Sequence, residues 1–169
     1  VGAYHRIEGD FDFALFGRAV QQLVQETEIL RLRLCLQEDL PLQFFPELPE
    51  VEVKFCDCSR TEDPMASALA SMQADIARPF QLFEAPPFRY TVYKISENGH
   101  LWSQIYHHLG TDGYSSSLVV QRLAVLYDAL LAGDPYPAPP GVPYRNFIDS
   151  DAAYLGSAHF ERDRRHWQQ

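Results

Sequence analysis

The chain has 169 residues, of which 46% are apolar, 13% aromatic and 22% charged, a composition that buries a core and excludes a disordered polymer. That length suits one domain of ordinary size and is too short for two. With 14 basic against 23 acidic residues the net charge is −9, which repels phosphate backbones and anionic lipid, and no run approaches the ~18 apolar residues of a membrane span, so neither nucleic acid nor a membrane is an expected partner.

Gly2 to Glu8 alternates and ends in the turn signal Glu8-Gly9-Asp10, which predicts a first strand. Asp10 or Asp12 then caps a helix whose apolar residues Phe13, Phe16, Val20, Leu23 and Val24 recur at three and four. Leu30 to Leu36 alternates as a strand, followed by strands at Leu42 to Phe45 and Val51 to Phe55, with Pro46 and Pro49 between them. If the last of these runs on to Cys58, Cys56 and Cys58 share one face. Together with Cys35 they form an odd set without Cys-x-x-Cys spacing, and no basic-then-apolar leader opens the chain. Both features point to a reducing, cytoplasmic setting without a disulfide framework, and the Cys56/Cys58 pair reads as buried structural thiols rather than half a zinc site, since no second cysteine pair exists.

Asp63-Pro64 starts a second helix, because aspartate accepts from free amides and proline suits the first helical position. Met65, Leu69, Met72 and Ile76 line one face and Arg78-Pro79 stops it. Two apolar runs, Phe88 to Ile95 and Leu101 to His108, are joined by Ser96-Glu97-Asn98-Gly99 and read as an antiparallel hairpin. From Tyr114 to Leu131 the spacing turns helical, with Val119, Leu123, Leu126 and Leu130 on one stripe and Gly133 as the stop. The proline-rich stretch Asp134 to Pro143 is a stiff connector, and Tyr144 to Ile148 and Ala152 to Trp167 close the chain as one or two helices, the last densely charged. This mixed order of strands and helices predicts an α/β layered sandwich with a mixed sheet rather than a doubly wound parallel one.

The heptapeptide His107-His108-Leu109-Gly110-Thr111-Asp112-Gly113 falls where the second hairpin strand meets a helix. Alternation along a strand sends the two imidazoles to opposite faces, so they do not share a metal ion, and no metal site is expected. A strand-to-helix turn lifts a side chain off a rigid sheet and leaves backbone amides free at the helix start. Gly113, lacking a Cβ, lets a substrate approach the main chain; on spacing alone the alternative stands that the two histidines are satisfied core or surface groups and that Asp112 is a helix cap.

Tyr106 to Ser115 resembles the His-His-x-x-x-Asp-Gly motif of condensation domains in non-ribosomal peptide synthetases, members of the chloramphenicol-acetyltransferase-like acyltransferases. Glu28-Ile29-Leu30-Arg31 resembles the core of the family's second motif, although Glu26-Thr27 replaces the usual Arg-His and Leu32 and Leu34 replace the later Thr and Phe. Arg78-Pro79-Phe80-Gln81-Leu82 and Pro87-Phe88-Arg89 look like the stretch leading into the hairpin. Tyr144-Arg145-Asn146-Phe147 is a degenerate fourth motif, and Asp163 to Trp167 resembles the helix that ends the first lobe. Full condensation domains are about twice this length or more and have two lobes. The resemblance therefore implies that residues 1–169 are the N-terminal lobe alone, a mixed sheet with helices packed on it in a two-layer sandwich, lacking the short first motif and the C-terminal lobe.

The reaction so implied is amide formation between a donor acyl thioester and the amine of an acceptor aminoacyl group. Both ride on the 4'-phosphopantetheine arms of carrier proteins, and no cofactor is bound by the chain itself. His108 matches the catalytic histidine, as base or as positioner of the amine; an imidazole of pKa near 6.5 suits an amine of pKa near 8. His107 matches the structural histidine, and Asp112 matches an ion-paired aspartate whose partner here is Arg31. Gly113, Tyr114 and Ser115 lie beside the substrate. The implied partners are donor and acceptor carrier proteins, the absent C-terminal lobe and an adjoining adenylation domain, and an isolated lobe is expected to self-associate and to be inactive. Heterocyclising relatives carry an Asp-led motif, whereas epimerisation relatives share this one. A degenerate lobe that docks carrier proteins without catalysis is the other alternative. His5, His100, His159 and His166 lie in no motif and are expected at the surface.

Overall fold

The computed structural model describes residues 1–47 and 51–168. The first 138 residues form one compact unit and residues 139–169 a second. In the first unit, β1 (Gly2–Glu8) leads into α1 (Phe13–Glu26), and of the two candidate caps it is Asp12 that serves, accepting from the Leu15 amide at 2.9 Å. A 3-10 turn at Glu28–Arg31 precedes β2 (Arg33–Gln37) and β3 (Leu40–Phe44), which pair antiparallel as a separate ribbon. The strand expected from Leu30 thus begins three residues later. Leu30 is the reason: at 1% exposure it is a core residue beside α1, and the chain must curl to put it there.

β4 (Val53–Asp57), α2 (Pro64–Ala77), β5 (Phe88–Lys94), β6 (Gly99–Tyr106) and α3 (Gly113–Ala132) follow. The main sheet has the order β1-β6-β5-β4. β6 is antiparallel to both β1 and β5, whereas β4 runs parallel to β5, so the sheet is mixed as expected. Pro49, expected between strands, lies outside the described residues. Asp63 caps α2 through the Ala66 amide (2.9 Å), and Gly133 stops α3 in the left-handed conformation (φ 73°) that glycine adopts without strain.

Alternation divides β5 and β6 between two cores. Phe88, Tyr90, Val92, Trp102 and Tyr106 pack with Phe16, Val20, Leu23 and Val24 of α1 and Val119, Leu123 and Leu126 of α3. On the other face Tyr93 and Leu101 meet Cys58, Ala68 and Met72. Buried Cys58 and half-buried Cys56 share that face with their sulfurs 3.7 Å apart, as alternation requires, and all three cysteines are free thiols. Burial, aided by Cys56, pushes the Cys58 thiol up to about 11. By length and composition α3 could cross a membrane, yet its stripe of Val119, Leu123 and Leu126 is buried against α1 and the sheet.

In the second unit α4 (Tyr144–Leu155) and α5 (Ala158–Trp167) meet at Gly156-Ser157 rather than at the expected gap after Ile148. Ser157 supplies the break by accepting from the Phe160 amide at 3.2 Å, and the polar residues 149–151 are simply an exposed turn of α4.

Glu26 ends α1 and receives the Arg122 guanidinium of α3 through both carboxylate oxygens (2.5 and 2.9 Å), with side chains only 6% and 11% exposed. Arg122 also donates to the Pro137 carbonyl at 2.6 Å. A bidentate pair of this kind locks the two helices in register, and losing one member strands the other charge. Glu26→Ala is therefore expected to cost about 3 kcal/mol in denaturant unfolding, and an unchanged midpoint would show that the pair contributes nothing net.

Candidate active site

All eight residues of β6 are buried. Its last residue, Tyr106, pairs with Phe88 and ends a chain of polar groups inside the core. The Tyr106 hydroxyl donates to Gln104 Oε1 at 2.8 Å and lies 2.7 Å from the Tyr90 hydroxyl, while Gln104 Nε2 is 2.6 Å from His5 Nε2. Burial raises both tyrosine hydroxyls above their ordinary range, so they act here as neutral donors. His5 is thus a half-buried hydrogen-bonding residue rather than the surface group expected. His100 corrects the same expectation: it is 6% exposed, with its ring 4.9 Å from that of Phe11, and burial lowers its pKa.

The strand expected to reach His108 stops two residues short, because the ladder ends at Tyr106 and residues 107–110 form a turn. The Gly110 amide donates to the His107 carbonyl at 3.2 Å. The His107 amide donates to the Pro87 carbonyl (2.8 Å), and its Nδ1 accepts from the Leu109 amide (3.0 Å), which in the neutral ring leaves the proton on Nε2. The ring stands edge-on to Phe80, centroids 5.7 Å apart at 86°. His107 is half-buried, with its Nδ1, its main chain and one side of its ring engaged by the fold. His108 is exposed, and among the described residues no hydrogen bond or ring contact holds its side chain. The adjacent histidines are therefore divided between a wedged imidazole and a free one.

Gly110 sits under the 3-10 turn, where a Cβ would come within 3.4 Å of Ile29 Cγ1. Thr111 is buried. Asp112 caps α3, its Oδ1 accepting from the Ser115 amide (2.7 Å) and hydroxyl (2.6 Å), and these two bonds hold its carboxyl below the usual range. A Cβ on Gly113 would meet nothing within 4 Å, so no packing among the described residues demands glycine there. Tyr114 is 74% exposed, and Ser115 is half-buried against Asp112.

The expected Arg31–Asp112 ion pair is not formed. The Arg31 Nη1 donates to the carbonyls of Pro46 (3.0 Å) and Glu47 (2.9 Å), bracing the segment after β3. Asp112 has the local partner that a helix start provides, and it is spent on Ser115. Sequence reasoning also missed Phe80, Pro87 and the Tyr90–Tyr106–Gln104 chain as supports of the loop. The signal for the last was available: glutamine and tyrosine in an otherwise apolar strand require buried partners. Among the described residues no three His, Cys, Asp or Glu side chains converge as metal ligands.

A family model for the condensation domain matches residues 1–169. The dimodular nonribosomal peptide synthase of Bacillus subtilis (strain 168) is 33% identical over 164 residues, 97% of this chain and 7% of that protein. Enterobactin synthase component F of Shigella flexneri is 30% identical over 173 residues, 99% of this chain and 13% of that protein. Among solved structures, the starter condensation domain of rhizomide synthetase RzmA superposes with a TM-score of 0.93 at 32% identity, covering 99% of this chain and 41% of that one. The first condensation domain of the calcium-dependent antibiotic synthetase gives 0.85 at 31% identity, covering 98% and 40%. The chain thus spans a small fraction of its curated relatives and about two-fifths of those solved chains.

Because the folded Asp112 carboxyl titrates below its unfolded value, its capping contribution is complete above about pH 3.9 and is lost as pH falls through the lowered folded value. Asp112→Ala is expected to lower the thermal midpoint at neutral pH, with the gap to the parent chain closing as acid protonates the parent's cap. The effects of Asp112→Ala and Arg31→Met on urea unfolding should add, since the two residues share no bond; strong coupling would reinstate the pair.

Proposed function

Because the chain belongs to the condensation-domain family, whose matching relatives are nonribosomal peptide synthetases, we propose that residues 1–169 are the N-terminal lobe of such a domain and carry its His-His-x-x-x-Asp-Gly motif. The observation that carries this reading is the division of the two histidines: His107 is wedged against Phe80 and its own turn, and His108 is left exposed at the end of a wholly buried strand. In the intact domain the α-amine of an acceptor aminoacyl group attacks the thioester carbonyl of a donor, the C–S bond breaks, the carrier thiol leaves, and the amine gives up one proton. His108 orients that amine and takes up or relays the proton. Asp112 holds the first turn of α3, and through it the Gly113 main chain, which is bare enough for a substrate to approach. Tyr114 and Ser115 flank that approach.

The partners under this reading are donor and acceptor carrier proteins bearing 4'-phosphopantetheine, the C-terminal lobe and a neighbouring adenylation domain, in a reducing cytoplasm that suits three free thiols. A lone lobe leaves one wall of the channel unbuilt, so the 169-residue chain by itself is inactive.

His108→Ala in the complete domain, assayed for amide product on loaded carrier proteins, is expected to reduce turnover by roughly a hundredfold or more; undiminished turnover removes His108 from the mechanism. Leu36, Leu40, Leu42 and Phe44 are all more than 40% exposed on the β2–β3 ribbon, an apolar surface of the kind that associates. Light scattering of the isolated chain at rising concentration should show self-association, and a strictly monomeric chain would count against it.

A further inference from the structure

A cavity of about 510 Å3 opens beside β4 and β5, and His108 is not among its lining residues; its volume suits a small organic ligand. Its apolar wall includes Pro79, Phe80 and Pro86. Four cations border it, Arg33, Lys54, Arg78 and Arg89, in a chain whose net charge is −9. Two of these are already committed. Arg78 pairs with Asp75 at 2.7 Å, and Arg89 donates to the carbonyls of Asp75 (2.7 Å) and Arg78 (2.9 Å) while lying 4.0 Å over the Phe80 ring.

Arg33 differs from both. It is half-buried, its single hydrogen bond goes to the neighbouring Leu32 carbonyl (3.0 Å), and among the described residues no carboxylate lies within ion-pair reach of it. Burial alone pulls its pKa down, the mark of a guanidinium partly stripped of water without a counter-charge. Its other N–H groups have no protein partner among the described residues and form the fork that fits a carboxylate bidentately. Lys54, exposed at the same cavity, likewise has no acidic partner among the described residues.

We propose that this cavity binds a small organic carboxylate with an apolar body, its oxygens taken by Arg33 with Lys54 nearby and its body set against Phe80 and Pro86. A monoanion is favoured over a phosphate dianion because Glu52 and Glu84 in the lining and Asp75 behind it offset three of the four cations. The site goes beyond the acyl-transfer reading and does not depend on it. Phe80 is also the ring against which His107 packs, so an occupant is sensed at that imidazole.

Titration of the 169-residue chain with benzoate, its neutral isostere benzamide and inorganic phosphate, by calorimetry and by NMR of the His107 ring, tests the proposal. Saturable benzoate binding that shifts the His107 resonance is expected, with benzamide weaker by about tenfold or more, as the loss of a charge-assisted bond dictates. Arg33→Gln should weaken benzoate by a similar factor and leave benzamide unchanged. Lys54→Gln, at an exposed position, should weaken benzoate less. Equal affinity for benzoate and benzamide, undiminished binding by a folded Arg33→Gln chain, or phosphate binding in preference to benzoate would each overturn the assignment.

Discussion

The hydrogen bonds that join Tyr90, Tyr106 and Gln104 inside the core are the constraint on which the rest of the structure rests. Three polar side chains in a dry layer between sheet and helices are stable only when each finds its partner, because an unmade bond there costs about 1 to 3 kcal/mol. Satisfying them fixes β5 against β6 in a single register. A slip of one residue would send Tyr106 and Trp102 to the opposite face and empty the core beneath α1 and α3. The residue that follows Tyr106 is His107, so a network buried for reasons of packing also decides where the candidate catalytic loop begins.

That loop separates two duties that adjacent identical residues could otherwise confuse. His107 is held by the Pro87 carbonyl, the Leu109 amide and the Phe80 edge, and its Nδ1 lone pair is already in use. His108 is exposed, and among the described residues no hydrogen bond engages either of its ring nitrogens. The support comes from backbone and aromatic contacts rather than from an acid–guanidinium clasp. Arg31 turns instead to the carbonyls after β3, and Asp112 to Ser115. Glu26, which departs from the family's usual basic residue near that position, has a use of its own: it joins α1 to α3 through Arg122.

Much of this was legible in the chain because it is local. The aspartates that cap α1, α2 and α3, the glycine that ends α3, the 3.6-residue stripes and the β5–β6 hairpin are written within a few positions of where they act. The mixed sandwich and the family of the motif followed from their order. What escaped depends on partners far away in sequence. Leu30 looks like a strand residue until α1 claims it for the core, His5 is a surface histidine until Gln104 lies beneath it, and the pairing of Arg31 is decided by carbonyls fifteen and sixteen residues away. Periodicity reports which face a residue takes and is silent on who meets it there.

The close fit of Gly110 beneath the 3-10 turn ties two segments of the chain to a shared history. A methyl group at position 110 would sit in ordinary contact with Ile29 at 3.4 Å and Pro87 at 3.7 Å, so a longer side chain directed at them has to displace one. Sequence drift in the motif loop is thereby yoked to drift at positions 29 and 87. A descendant that pushed a side chain larger than alanine toward that contact would be eased by a smaller residue at one of those two sites.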